Sequence, residues 1–353
     1  IALADGSVLV TGGSDASFNQ LNSAEHLPLG AMATWQDAGN MQVARSNHTM
    51  TLLDDGRVLI AGGMSGMTNG TIQIESSAEV FSNTLGRADF SIVSSMGQPR
   101  VNHTAHWLPA QGKVMVIGGY DVSVYGEGGV LVLRNSTNST KFFDPNLEGG
   151  EGGWEEAPSM NLPRAEHASA LLDDGRILVI GGWDESGSAA RSAEVYDPSD
   201  EKWTLIENIG DGLVGRRAAA LGNGRVVTSG GFAGEMATAT TAVFDPDAFS
   251  ASVSMNEVRG YHSLTRLPGN KLLATGGTVQ AGGALAIVDG FKSAEIYEAG
   301  APASTSGGGT TVQPDGPDGW VDNHKILTTS DGKTQINDMA ALSDGSLVVA
   351  GGI

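Results

Sequence analysis

Four segments of this chain place an arginine three residues before a histidine: Arg45/His48, Arg100/His103, Arg164/His167 and Arg259/His262. A fifth segment, aligned without gaps, has Arg216 in the histidine column, and a further one has Asn337 there. A guanidinium is a planar fork of donors that matches a carboxylate in two parallel hydrogen bonds. In a chain of net charge −20, such a cationic column could hold a carboxylate or an anionic sugar. The alternative is internal. Glu25, Glu79, Glu194 and Glu295 recur just as regularly and could pair with the arginines, joining neighbouring segments. His103 and His106 are three apart, which on a strand sends them to opposite faces rather than to one metal. No Gly-x-Ser-x-Gly motif, phosphate-binding loop or cysteine accompanies them, so no catalytic residue, metal or cofactor is expected.

The elements that must position these residues repeat along the chain. A double glycine occurs at Gly12-Gly13, Gly62-Gly63, Gly118-Gly119, Gly181-Gly182, Gly230-Gly231, Gly276-Gly277 and Gly351-Gly352. The spacings are 50, 56, 63, 49, 46 and 75 residues. The fullest copy is 164–203. Two apolar runs there flank Asp174-Gly175, a dipeptide suited to a tight hairpin turn. The uncharged run Ile177-Leu178-Val179-Ile180 suits a strand buried on both faces. After the double glycine come Ser192-Ala193-Glu194-Val195-Tyr196, stopped by Asp197-Pro198, and then Trp203. The unit reads as a four-stranded antiparallel meander that cannot bury both faces alone, so copies must stack.

These columns, a double glycine followed by tyrosine or phenylalanine and then tryptophan, resemble the kelch repeat. The fourth-strand aromatics are Trp35, Phe90, Trp154, Trp203, Phe249 and Trp320. The resemblance covers nearly the whole chain and implies one all-β domain, a kelch-type β-propeller of four-stranded blades around a channel. The repeats fall near 1–44, 45–99, 100–163, 164–212, 213–258, 259–333 and, in part, 334–353. Seven blades are expected, with the seventh incomplete in this chain. The apolar run 347–350 would leave an open sheet edge. About two strands from beyond the chain ends, or from a partner, are therefore expected against it. By the same resemblance, the arginine and histidine columns ring one mouth of the channel.

Tyr261-His262 resembles the copper-binding pair of the galactose and glyoxal oxidases, which share the kelch propeller. That resemblance implies Tyr261 and His262 as copper ligands. The radical cofactor of those oxidases also requires a cysteine, and this chain has none.

Forty acidic against 20 basic residues argue against a general nucleic-acid or anionic-membrane surface. No apolar run approaches 18 residues, so no membrane insertion is expected. Ile1 already lies inside a repeat, and the chain reads as part of something longer. Five Asn-x-Ser/Thr sequons occur; Asn47 and Asn102 belong to the repeat, whereas Asn69, Asn135 and Asn138 fall in loops and are glycosylation candidates. The expected function is a non-enzymatic interaction module of a larger secreted or cell-surface protein. It would recognise a protein or glycan through loops of one propeller face. A copper-radical oxidase and a structural subunit of an extracellular assembly are the alternatives.

Overall fold

The computed structural model describes the chain except residues 16, 30–33, 69–70, 85–86, 126–130, 246–247, 253, 280–292, 299–318, 323–334, 342–346 and 353. Among the described residues helix is confined to one 3₁₀ turn, Glu148–Gly150, and no helix is long and apolar enough to cross a membrane.

Six antiparallel sheets follow one another in sequence. Blade one has three strands, Val8–Thr11, Ser23–Leu27 and Gln36–Asn40. Blades two to five have four each: Thr49–Leu52, Val58–Ala61, Ala78–Thr84 and Arg87–Val93; Thr104–Leu108, Lys113–Ile117, Thr140–Asp144 and Gly153–Glu156; Ala168–Leu171, Ile177–Ile180, Ser192–Asp197 and Lys202–Glu207; Arg217–Ala220, Val226–Ser229, Thr241–Asp245 and Ala248–Ala251. Blade six is Ser263–Leu267, Lys271–Thr275, Ala294–Glu298 and Gly319–Asp322. A two-stranded sheet follows, Gln335–Ala341 with Leu347–Gly352. The first strands of successive sheets lie side by side from blade two onward, and Gln335–Ala341 lies beside Ser263–Leu267. Sheets arranged radially around shared first strands make a β-propeller.

The core sits between blades. Leu59, Val80, Val114 and Phe143 close the seam of blades two and three, and Leu178, Val195, Val226 and Phe244 that of blades four and five. Second strands such as Val58–Ala61 and Ile177–Ile180 are buried at every residue because they touch a neighbour on both faces. Aromatics of third and fourth strands face each other as directly paired neighbours: Phe81 and Phe90, Phe143 and Trp154, Tyr196 and Trp203, Phe244 and Phe249. Their ring centroids are 4.8–5.2 Å apart in tilted contact. Trp35 departs from this expectation. It precedes its strand and is 39% exposed, because blade one carries Leu27, not an aromatic, at the facing third-strand position.

The double glycine is where neighbouring blades come closest. At Gly62 (φ 66°) an added Cβ would lie 2.6 Å from the Arg100 carbonyl oxygen and 2.7 Å from the His103 ring. At Gly63 (φ 94°) it would lie 2.5 Å from the Ser46 carbonyl oxygen. Only glycine tolerates both the backbone conformation and the approach. Past the double glycine, blades two, three and five carry a separate hairpin: Met64–Thr68 with Thr71–Ile74, Tyr120–Tyr125 with Leu131–Ser136, and Phe232–Ala233 with Met236–Ala237.

Candidate functional site

The arginine column is built into the seams. Arg45, Arg100, Arg164 and Arg259 are all 0% exposed. The Arg164 Nη1 donates to the carbonyls of Gly181 (3.1 Å) and Ser192 (2.9 Å), and Nη2 donates to the Ser192 hydroxyl (2.7 Å). Its Nε pairs with Glu194 at 3.3 Å. Arg45 repeats this with Gly62, Ser77 and Glu79, and Arg259 with Gly276, Ser293 and Glu295. The glutamates have a second task. The Glu194 carboxylate accepts the backbone N–H groups of Asn161 (2.6 Å) and Leu162 (3.0 Å), fixing the strap that arrives from blade three. The arginine backbone completes the joint: the Arg164 carbonyl accepts the Gly119 N–H of the preceding blade at 2.9 Å.

This corrects the expected cationic ring. Arg45, Arg100, Arg164 and Arg259 are turned into the seams, because their Nη donors are taken by carbonyls and serine hydroxyls, and three of the four also pair with glutamate. Arg100 has Lys141 at the position of the paired glutamate; it bonds the carbonyls of Gly118 and Ser139 and the Ser139 hydroxyl. Burial brings its pKa down to about 10. Glu25 is exposed at the start of the chain, where no arginine of its own repeat precedes it.

The histidines are seam residues as well. His48, His103, His167 and His262 each place Nε2 on a hydroxyl of the preceding blade, at Thr11 (2.9 Å), Thr49 (3.0 Å), Thr104 (3.0 Å) and Ser229 (2.9 Å). His106 points the other way and meets Ser169 of blade four at 2.6 Å, as alternation along the strand requires. Burial keeps all five rings neutral, with the pKa of His48 and His106 lowered to about 4 and that of His167 to about 3. Burial holds His103 and His262 well below the usual range too.

What does reach the mouth is the residue between arginine and histidine. Asn102, Glu166 and Tyr261 sit with φ of 53°, 54° and 54°, in the left-handed region that side chains other than glycine seldom adopt. Their backbones run head to tail across four blades. The Glu166 N–H donates to the Asn102 carbonyl (3.1 Å), Gly215 to Glu166 (3.2 Å), and Tyr261 to Gly215 (2.8 Å). The Tyr261 hydroxyl donates to Glu166, and its ring packs on Phe232 with centroids 5.1 Å apart. Asn102 adds a longer bond to Glu166, at 3.4 Å. Burial pushes the Glu166 carboxyl above its ordinary value, opposed by Tyr261, Asn102, Trp183 and the charge of Arg217. Burial, with the Glu166 charge second, also raises the Tyr261 phenol. Around this mouth the post-glycine turns expose Phe18, Met67, Val122 and Met236.

The kelch motif profile matches residues 164–209, which span blade four from Arg164 through its fourth strand. This chain is a β-propeller that carries a kelch motif. The propeller is 31% identical over 158 residues to beta-scruin of Limulus polyphemus, covering 45% of this chain and 16% of that protein. It is 29% identical over 115 residues to a galactose oxidase of Gibberella zeae, covering 30% of this chain and 16% of the oxidase. To the F-box/kelch-repeat protein SKIP30 of Arabidopsis thaliana it is 29% identical over 114 residues, 31% of this chain and 30% of that one. The chain thus spans less than a third of each of these relatives. The solved structure titled "Structure of YjhT" superposes with a TM-score of 0.64 at 16% identity, over 84% of this chain and 93% of that one, a likeness of fold.

The copper pair implied by the oxidase resemblance does not fit the kelch mouth. Tyr261 is turned to Glu166, while His262 is buried in the seam on Ser229, so the two side chains serve different places. Among the described residues no group of three or more histidine, aspartate or glutamate side chains could hold a metal. Of the glycosylation candidates, Asn135 is exposed on its hairpin with its amide on Asp121 (2.6 Å). Asn69 lies outside the described residues. Asn138 is a repeat position, not a free loop residue: its amide donates to the Met160 carbonyl (3.0 Å) as Asn22 donates to Met41 (3.1 Å). Sequence reasoning passed over Asn102 and Glu166 as members of the mouth. The available signal was a variable column, Asn47, Asn102, Glu166, Gly215 and Tyr261, between two constant ones.

Proposed function

We propose that this kelch propeller is a non-enzymatic binding module that docks a protein partner on the face carrying the post-glycine turns and the Tyr261–Glu166 mouth. One observation carries the reading. Phe18 (50% exposed), Met67 (61%), Val122 (41%), Met236 (58%) and Tyr261 (38%) come from five blades and crown the same face. Large apolar side chains repeated around one rim of an otherwise acidic surface are the composition of an interface core, with methionine as its adaptable part. A glycan is the second class of ligand expected of the face, and the apolar rim favours the protein. The relatives include an F-box/kelch-repeat protein, and this chain covers only part of each. The module therefore serves a larger protein, which we place at the cell surface or outside the cell; the exposed sequon at Asn135 supports that placement.

The same proposal has a seven-bladed ring. In it, the hairpin Gln335–Ala341 with Leu347–Gly352 is the inner half of blade seven. The test of the docking face uses photo-crosslinking residues placed at Met67 and Met236, with Ile92 on an outer strand as the control. A partner captured from the rim positions alone, and lost in Met67→Lys/Met236→Lys, is the expected result. Equal capture from Ile92 would overturn the assignment of the face.

A further inference from the structure

Blade five departs from its neighbours in three columns at once. The seam arginine becomes Leu213, the glutamate that would pair with it becomes Ala242, and the seam histidine becomes Arg216. The first two changes cancel, since neither leaves a buried charge behind. The third does not.

The Arg216 side chain follows the histidine path. Its Cδ lies 3.7 Å from where a Cβ on Gly181 would be, and imidazole Cε1 atoms occupy the corresponding place over Gly12, Gly62, Gly118 and Gly230. In those seams the ring finds a hydroxyl on the preceding blade, at the first residue of strand one or the last of strand two. Blade four has Ala168 and Ile180 at those two positions, directly paired across the sheet. The acceptor is missing where the cation arrives. Arg216 is 3% exposed, its Nε has no hydrogen-bond partner, and its guanidinium forms no hydrogen bond or ion pair among the described residues. Arg100, which also lacks a bonded carboxylate, makes three hydrogen bonds instead. Asp211 acts on Arg216 through its charge alone, and burial brings the guanidinium pKa down to about 10. Burial, and after it the charges of Arg217, Arg259 and Arg216, hold His262 neutral, so the arginine potential here is positive within an acidic protein.

A buried cation without a directly bonded counter-charge is unfavourable, and proteins resolve it with a paired anion. We propose that Arg216 anchors a carboxylate-binding site at the channel end of the seam between blades four and five. The planar guanidinium fork matches a two-oxygen anion. Its walls at Ala168 and Gly181 are small, and the acidic chain penalises a doubly charged phosphate more than a singly charged carboxylate. The carboxylate can belong to a small molecule or to an acidic side chain of a peptide. This site stands independently of the docking face, because no rim residue contributes to it.

The experiment titrates the whole chain, by calorimetry and thermal unfolding, with propionate and with a capped tetrapeptide carrying one aspartate, its asparagine counterpart as control. Saturable binding that raises the melting temperature is expected from at least one carboxylate. Arg216→Gln, which keeps much of the volume and removes the charge, should weaken it tenfold or more and be at least as stable as the parent without ligand. Arg216→Lys, which keeps the charge but not the fork, should bind with intermediate affinity and covers the case in which the glutamine variant does not fold. Binding of propionate assigns the site to a free carboxylate; binding of the aspartate peptide alone assigns it to a side chain. No binding of either, or binding unchanged in the variants that fold, overturns the proposal.

Discussion

Tyr261 of blade six reaches across blade five to hydrogen-bond Glu166 of blade four. The path between them is open because position 215 is glycine: a Cβ there would lie 2.6 Å from the Tyr261 ring, at a φ of 63°. Three consecutive repeats thus contribute one residue each to a contact that no single repeat specifies.

Replacement of Gly215 by alanine should therefore cost about 1–3 kcal/mol, from positive φ and from displacement of the Tyr261 ring. Urea denaturation measures the loss. Tyr261→Phe keeps the packing on Phe232 and should cost less, about 1 kcal/mol. Gly215→Ala in the Tyr261→Ala background should recover the steric part; no recovery would show that the ring is not what the alanine meets.

Acid should destabilise the fold through its buried histidines. His48, His103, His106, His167 and His262 have native pKa values below the ordinary 6.5, so between pH 6.5 and about 4 the unfolded chain binds more protons than the native one. Stability then falls as pH falls, by about 1.4 kcal/mol per pH unit for each histidine fully protonated only when unfolded. Chemical denaturation at pH 7, 6, 5 and 4 reads this directly. A flat profile would contradict the burial of these rings.

Glu166 works in the opposite sense. Its native pKa is raised, so the native chain holds the proton more tightly, and this contribution is present below pH 4.5 and lost as pH rises through the native value. The difference in unfolding free energy between the parent and Glu166→Gln should change across that window, against the histidine trend. If the two proteins keep a constant difference from pH 4 to 8, the carboxyl is not desolvated.

The seam pair of blade four can be traded for the solution already used in blade five. Arg164→Leu alone should cost about 3–5 kcal/mol, because it leaves the buried Glu194 charge uncompensated. Adding Glu194→Ala, to copy Leu213 and Ala242, should recover part of that loss. A double-mutant cycle in urea gives the coupling; additive losses would mean that the two charges are independent.

Much of the architecture is written in local chemistry. The Asp-Gly turns, the uncharged second strands, the tandem glycines and the third-strand aromatics each follow from a few adjacent residues. Their recurrence dictates stacked antiparallel sheets. The sequence also contained both halves of the arginine–glutamate pairing, yet it left open whether those arginines faced a ligand or each other. That choice depends on where one blade lies against the next. Only in the tertiary structure do the carbonyls of Gly181 and Ser192 converge on Arg164 and consume its donors. The orphan at Arg216 has the same origin. Its residue type is plain in the sequence, but its lack of an acceptor is set by Ala168 and Ile180 of the preceding blade, some 40 residues away in the chain and in contact through the seam alone.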